Sequence, residues 1–227
     1  MKLGERIEML RKTVSGIMLT LLLTSMLTLA YNIQTVRGWT GTVYIRADGS
    51  IDPPTVPIST IDNVTYTFTD NINDSIVVER NNIVIDGAGY TLQGTGAYDS
   101  KGIDLSEREN VTVRNTQIKN FHYGIWLGSS IYNSISGNNI TSNVYGVQLY
   151  SSSNNTLYRN SIEANERYGI YLYESSNNTI SGNNITATDG YTDSKGVLLK
   201  KSSNNVIDGN IVKKNEGGGI VLTGSSN

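Results

Sequence analysis

Residues 135–157 read ISGNNITSNVYGVQLYSSSNNTL, and residues 157–179 read LYRNSIEANERYGIYLYESSNNT. Laid one over the other, the two stretches repeat an aliphatic-x-x-Asn-x-Ile string, then a Gly-aliphatic-x-Leu string, then Ser-Asn-Asn. Working outward, the Gly string recurs at Gly102, Gly124, Gly146, Gly169, Gly196 and Gly219, with spacings of 22, 22, 23, 27 and 23 residues. The apolar positions alternate with period two, and each run is too short for a helix, so each repeat is a set of short strands. A strand set of this size cannot bury its inward side alone. Stacking successive coils about 4.8 Å apart joins the inward residues into continuous rows. The fold class expected is all-β, a right-handed parallel β-helix of six to seven coils.

Composition supports a solenoid over an ordinary globule. The chain has 227 residues, no Cys, three Pro, 23 Gly and 26 Asn, with 37% apolar residues. Without Cys there is no disulfide framework, thiolate metal site or cysteine nucleophile. A formal charge of −2 excludes both an acidic disordered tail and a basic nucleic-acid binder. Narrow Ile, Val and Leu rows need little apolar content, and the Asn excess has a place at the corners. Asn138, Asn160, Asn183 and Asn210 share inward parity where the backbone turns, so their amides can stack from coil to coil. Thr116 and Ala88 stand at this position in earlier coils, so the stack is expected to begin at Asn138.

Residues 1–38 read as a signal peptide or membrane anchor. Lys2, Arg6, Arg11 and Lys12 precede 24 uncharged residues, 13–36, with an apolar centre at 17–30. Cleavage is expected after Ala30 or Gly38. Without this segment, which carries five cations and two acids, 13 Lys plus Arg face 18 Asp plus Glu, and no Met is left. Residues 39–80 do not carry the repeat and read as N-terminal cap strands that shield the first edge. Residues 81–227 are the β-helix repeats, expected to be incomplete at the C-terminus, with the last coil covered by further repeats or a partner.

IVIDGAGYTLQG at 83–94, followed by strings such as NNTISGNNIT and YGIYL, resembles the NosD-like β-helix proteins, within the wider carbohydrate-binding and sugar-hydrolase (CASH) group. The opening TVYIRADGSIDP with the leader resembles archaeal exported members. The resemblance implies this fold over about residues 42–227, and for NosD itself a periplasmic role linked to copper. His122 is the single imidazole and the exported part lacks Met and Cys, so copper binding does not carry over residue by residue.

Three functional readings follow. The first is an exported cell-surface scaffold or carbohydrate-binding module with no catalytic residues, no cofactor and no metal. Its ligand platform is Trp126, Gln148, Tyr150, Tyr171 and Tyr173 on the outer face of the Gly strands, suited to the apolar faces of sugar rings. The second is a carbohydrate-active enzyme of polysaccharide lyase, hydrolase or epimerase type, since such enzymes share this fold. A hydrolase needs two carboxylates within about 10 Å, and Asp86, Asp104, Glu163 and Asp208 are spread over different coils and faces. The third is NosD-like metal handling. The expected partner is a polysaccharide or cell-surface glycan, with no nucleic acid, and with the membrane touched only through residues 1–38. The fifth coil carries an insertion at 187–195, expected to protrude as a loop. Sequons at Asn63, Asn73, Asn110, Asn139, Asn154, Asn177 and Asn184 mark glycosylation candidates.

Overall fold

The computed structural model describes residues 39–186, 188 and 190–226, together with 3, 4, 6, 12–15 and 18 near the start. Two units are distinguished, Met1–Arg37 and Gly38–Asn227. The leader expected at 1–38 lies almost wholly outside the described residues. The few that are described there are helical, and among the described residues no helix is long and apolar enough to cross a membrane.

Each coil of the second unit contributes three short strands, and equivalent strands pair in parallel from coil to coil into three sheets. The glycine sheet contains Val43–Ile45, Ile76–Val78, Lys101–Asp104, Tyr123–Gly128, Tyr145–Tyr150, Tyr168–Tyr173, Lys195–Lys200 and Ile220–Thr223. The second sheet runs from Thr65–Phe68 through Val84–Asp86, Thr112–Arg114, Ser134–Ser136, Thr156–Tyr158 and Thr179–Ser181 to Val206–Asp208. The third runs from Trp39–Thr40 and Ile72–Asn73 through Gln117–Lys119, Asn139–Thr141 and Asn184–Thr186 to Ile211–Lys213. The architecture is thus a right-handed β-solenoid of about seven turns.

Residues 39–80 supply strands to all three sheets, and 65–78 already form a complete coil. Two antiparallel partners, Ile51–Asp52 beside Val43–Ile45 and Ile58–Ser59 beside Thr65–Phe68, occupy the first edges of their sheets. Covering an edge in this way removes the unpaired N–H and C=O row that would template aggregation.

The core consists of rows along the axis. Ile103, Ile125, Val147, Ile170 and Val197 form one, Leu105, Leu127, Leu149, Leu172 and Leu199 a second, and Ile118, Ile140, Ile162 and Ile185 a third, all fully buried. Register places Leu199, not Leu198, in the inner Leu row. The Gly strings are Gly because the next coil lies against them. A Cβ on Gly146 would stand 2.5 Å from the Gly169 carbonyl oxygen and 2.8 Å from Ile162 Cγ2.

The expected Asn stack is present. Nδ2 of Asn138, Asn160 and Asn183 donates to Oδ1 of the next Asn at 3.1, 3.0 and 2.9 Å. The same Oδ1 atoms accept the preceding coil's backbone N–H, and the stack opens where the Thr116 N–H donates to Asn138 at 3.1 Å. Two further Asn stacks line the other corners, through Asn133, Asn155, Asn178 and Asn205, and through Asn143 and Asn165. Ser130, Ser152, Ser175, Ser202 and Ser225 add a hydroxyl stack in which the Oγ of each Ser from Ser152 onward accepts the backbone N–H of the previous coil's Ser. These side chains satisfy the polar backbone groups that the bends would otherwise leave orphaned in the interior.

Candidate functional site: an aromatic face and its cleft

The outer face of the glycine sheet carries three rows of side chains in register. Lys101, Tyr123, Tyr145, Tyr168 and Lys195 form the first row, Asp104, Trp126, Gln148, Tyr171 and Leu198 the second, and Gly128, Tyr150, Tyr173 and Lys200 the third. Simple alternation from the Gly string identifies the second and third rows. It misses the first, because the Gly and the residue after it are consecutively buried, as at Gly124 and Ile125, and this breaks the period. Tyr123, Tyr145 and Tyr168 therefore point outward without an alternating signal in the sequence.

Together these residues form one connected aromatic surface. Trp126 stacks on Tyr150 with centroids 6.1 Å apart and planes at 18°, and Tyr150 on Tyr173 at 5.3 Å and 12°. Tyr123 stacks on Tyr145 at 5.2 Å, Tyr145 reaches Tyr171 at 6.1 Å, and Tyr171 reaches Tyr173 at 6.4 Å. Near-parallel phenol rings this close cannot lie side by side in one plane; they overlap like shingles, offset along the axis. The rings of Trp126, Tyr150 and Tyr173 are partly covered by their neighbours and present an edge and part of a face outward, whereas Tyr145 and Tyr168 are buried against the rings beside them. Tyr150 is 43% exposed, whereas Gln148 is only 7% exposed. Gln148 was expected on the rim of the platform. The structure corrects this: it lies between Trp126 and Tyr171 beneath the ring layer, and its Oε1 has no partner. Cations rest on the rings: Lys101 lies 5.0 Å from Trp126, and Lys200 and Lys201 lie 5.8 and 5.4 Å from Tyr173.

At the corner leading into this sheet lies a cleft of about 590 Å³, lined by Gly96, Tyr98, His122, Val144, Tyr145, Arg167, Tyr191, Thr192 and Asp193. Its walls come from the loop at 94–100, the turns before three glycine strands, and the insertion at 187–195. Asp189 of that insertion lies outside the described residues. The imidazole of His122 is packed between Tyr98 at 4.8 Å and Tyr123 at 4.4 Å, and is 8% exposed. Its Nδ1 accepts the Asp99 backbone N–H at 2.7 Å, which leaves the neutral ring's proton on Nε2. Burial pushes the His122 pKa down, opposed by the charges of Asp99 and Glu166. The Arg167 guanidinium donates to Tyr145 Oη at 2.8 Å and lies 5.3 Å from the centre of the Tyr168 ring. Burial pushes the phenols of Tyr145 and Tyr171 up, Tyr171 to about 12, and nearby Arg167 opposes both shifts. Asp193 pairs with Lys195, which holds its carboxyl below the usual range. No sequence motif announces this cleft, because its residues come from five coils and two loops.

The acids considered for hydrolysis remain apart. Asp86 pairs with Arg114 at 2.8 Å on the second sheet, and Asp104 with Lys101 at 2.8 Å on the glycine sheet. Glu163 accepts from Ser161 and Asn184 on the third sheet, and Asp208 is on the second. Among the described residues no three His, Asp or Glu side chains are grouped to hold a metal. Of the sequon residues, Asn63, Asn73, Asn110, Asn139, Asn154 and Asn177 are exposed. Asn110 donates to Asn82 at 2.9 Å and half-buried Asn184 to Glu163 at 2.8 Å.

Residues 59–227 match the family model described as the right-handed β-helix region. The chain belongs to the right-handed β-helix family. No curated protein matches it. Among solved β-helix structures, it is similar to a double mutant of the periplasmic alginate epimerase AlgG, at 22% identity and a TM-score of 0.52, over 70% of this chain and 34% of that one. It is also similar to the A-module of the mannuronan C-5 epimerase AlgE6 from Azotobacter vinelandii, at 16% identity and a TM-score of 0.50, over 72% of this chain and 51% of that one. The β-helix described here therefore spans about a third to a half of those chains, and at such identities the likeness is one of fold.

Proposed function

We propose that this β-helix is an exported module that binds a polysaccharide on the outer face of its glycine sheet. The observation that carries the reading is the continuous aromatic surface from Tyr123 and Trp126 to Tyr171 and Tyr173, edged by lysines and opening at one corner into a cleft. Coils about 4.8 Å apart repeat at roughly the length of one sugar ring. Shingled rings offer each successive sugar an apolar patch beside a cation or hydroxyl. The solved structures of similar fold include enzymes named for alginate and mannuronan, which is consistent with a glycan ligand. Residues 1–38 serve as leader or anchor, and the exposed sequons face the space into which the chain is exported. Affinity electrophoresis against a polysaccharide panel tests the binding. At least one polymer is expected to retard the protein, and Trp126→Ala or Tyr150→Ala is expected to weaken that retardation about tenfold or more. Equal retardation of both variants overturns the platform.

A second reading, a carbohydrate-active enzyme, is favoured by one observation: His122, Tyr145 and Arg167 share a cleft beside the platform. Its test is the release of unsaturated or reducing ends from the same polymers on prolonged incubation.

A further inference from the structure

Three polar groups that line the corner cleft, on His122, Tyr145 and Arg167, share a property that the aromatic platform does not explain: they are donors, while the carboxylate in the lining, that of Asp193, is paired with Lys195. His122 Nδ1 is occupied by the Asp99 N–H, so the ring's other nitrogen carries its proton. Among the described residues that Nε2–H has no hydrogen-bond partner, although the residue is more than nine-tenths buried. The space open to it is the cleft that His122 lines. Tyr145 Oη accepts from Arg167, and its own proton remains free to donate. The Arg167 guanidinium uses one N–H on Tyr145. Among the described residues it pairs with no carboxylate, whereas Arg46, Arg114, Lys101, Lys195 and Lys201 all do. The neighbouring acids do not neutralise it. Asp193 is engaged by Lys195, Asp99 meets His122 through its backbone, and exposed Glu166 forms no ion pair among the described residues.

Resting on the polysaccharide reading above, we propose that this cleft is a receptor for the carboxylate of an acidic sugar, with Arg167 as charge partner and Tyr145 and His122 as hydrogen-bond donors. One guanidinium and two neutral donors match a group with one negative charge and two planar acceptor oxygens. Burial pushes the His122 pKa down, which favours the neutral imidazole, and with the Asp193 carboxylate paired to Lys195 the charge left to the cleft is that of Arg167. The same arrangement makes His122 a donor to a bound group and not the base that would take a proton from it. Abstraction of a proton needs a free lone pair, and that of Nδ1 is taken while Nε2 presents a hydrogen.

The test compares the full chain's affinity for polygalacturonate and alginate with its affinity for the same polymers after carboxyl reduction, at constant ionic strength. The acidic form is expected to bind at least tenfold more tightly to the wild type. In Arg167→Gln the ratio is expected to fall below threefold, and in Arg167→Lys to be intermediate, because the planar fork is lost while the charge stays. Arg167 is exposed, and circular dichroism verifies that each variant is folded. Equal binding of acidic and reduced polymers by the wild type overturns the receptor and leaves the polysaccharide reading intact. Binding of neither form overturns both. A sulfated neutral glycan that binds as tightly as the uronates overturns the carboxylate assignment. Unsaturated ends or solvent deuterium appearing in the polymer, and lost in Arg167→Gln, overturn the receptor in favour of an enzyme.

Discussion

At the scale of single residues, the corners hold most of the leverage. Asn160 Oδ1 accepts from the backbone N–H and the side-chain amide of Asn138, and its Nδ2 donates to the Ile135 carbonyl at 2.8 Å. Asn160→Ala leaves two donors and an acceptor unpaired in the interior, a loss of at least about 3 kcal/mol in urea unfolding. Thr188 is the reverse case. It stands where the third corner stack would continue from Asn143 and Asn165, and its Oγ1 is buried without a partner. Thr188→Asn restores the missing acceptor and is expected to stabilise by about 1 kcal/mol. Exposed Ala164 adopts φ 50°, a left-handed conformation that burdens any Cβ. Ala164→Gly is expected to raise the urea midpoint by a gain of about 0.5 kcal/mol, the steric relief slightly exceeding the entropy that Gly loses. His122 supplies the pH term. Its folded pKa lies below the unfolded value, so between the two the unfolded chain binds more protons, and stability falls as pH drops below about 6.5. Urea unfolding at pH 7 and pH 5 is expected to show this fall, reduced in His122→Gln. The depressed carboxyl groups of Asp86 and Asp193 act in the same direction, but only nearer pH 4.

At the scale of elements, the glycine strand explains what the sequence displays and what it conceals. Its Gly is fixed by contact with the next coil, so Gly146→Ala is expected to cost about 2–3 kcal/mol in urea unfolding through overpacking against Gly169 and Ile162. The inner rows were legible because Ile125, Val147 and Ile170 recur at nearly constant spacing, and the Asn138 stack because its Asn precede each inner Ile by two. The Asn155 stack was open to the same reading, since Asn133, Asn155 and Asn178 also precede the inner Ile135, Leu157 and Ile180 by two. The Asn143 stack was not, because the residues two places after Asn143 and Asn165 are Tyr145 and Arg167 and not inner aliphatics. Trp126, Tyr150, Tyr171 and Tyr173 were readable as outward residues. Their shingling was not, because ring tilt depends on the coil above and below. The cleft escaped entirely: His122, Tyr145 and Arg167 are joined only by stacking across coils.

At the scale of the whole molecule, each coil is a nearly interchangeable layer. Deleting residues 134–155 brings Asn133 next to Thr156, which reproduces the Asn155–Thr156 junction and restores the register of Val113 to Leu157. The shortened chain is expected to fold, with a smaller urea m-value in proportion to the surface removed. Deleting half as many residues places inward residues outside and is expected to abolish cooperative unfolding. The corner stacks also have a direction. Along each of them the side-chain oxygen faces the preceding coil, so the corner N–H groups of each coil are satisfied by the coil that follows it in the chain. On a ribosome, where earlier residues emerge first, each finished turn waits with open donors for acceptors only some 22 residues behind it. Growth of the solenoid can therefore keep pace with translation, one turn at a time, and a synthesis pause leaves exposed a single unfinished layer and not an entire unfolded sheet.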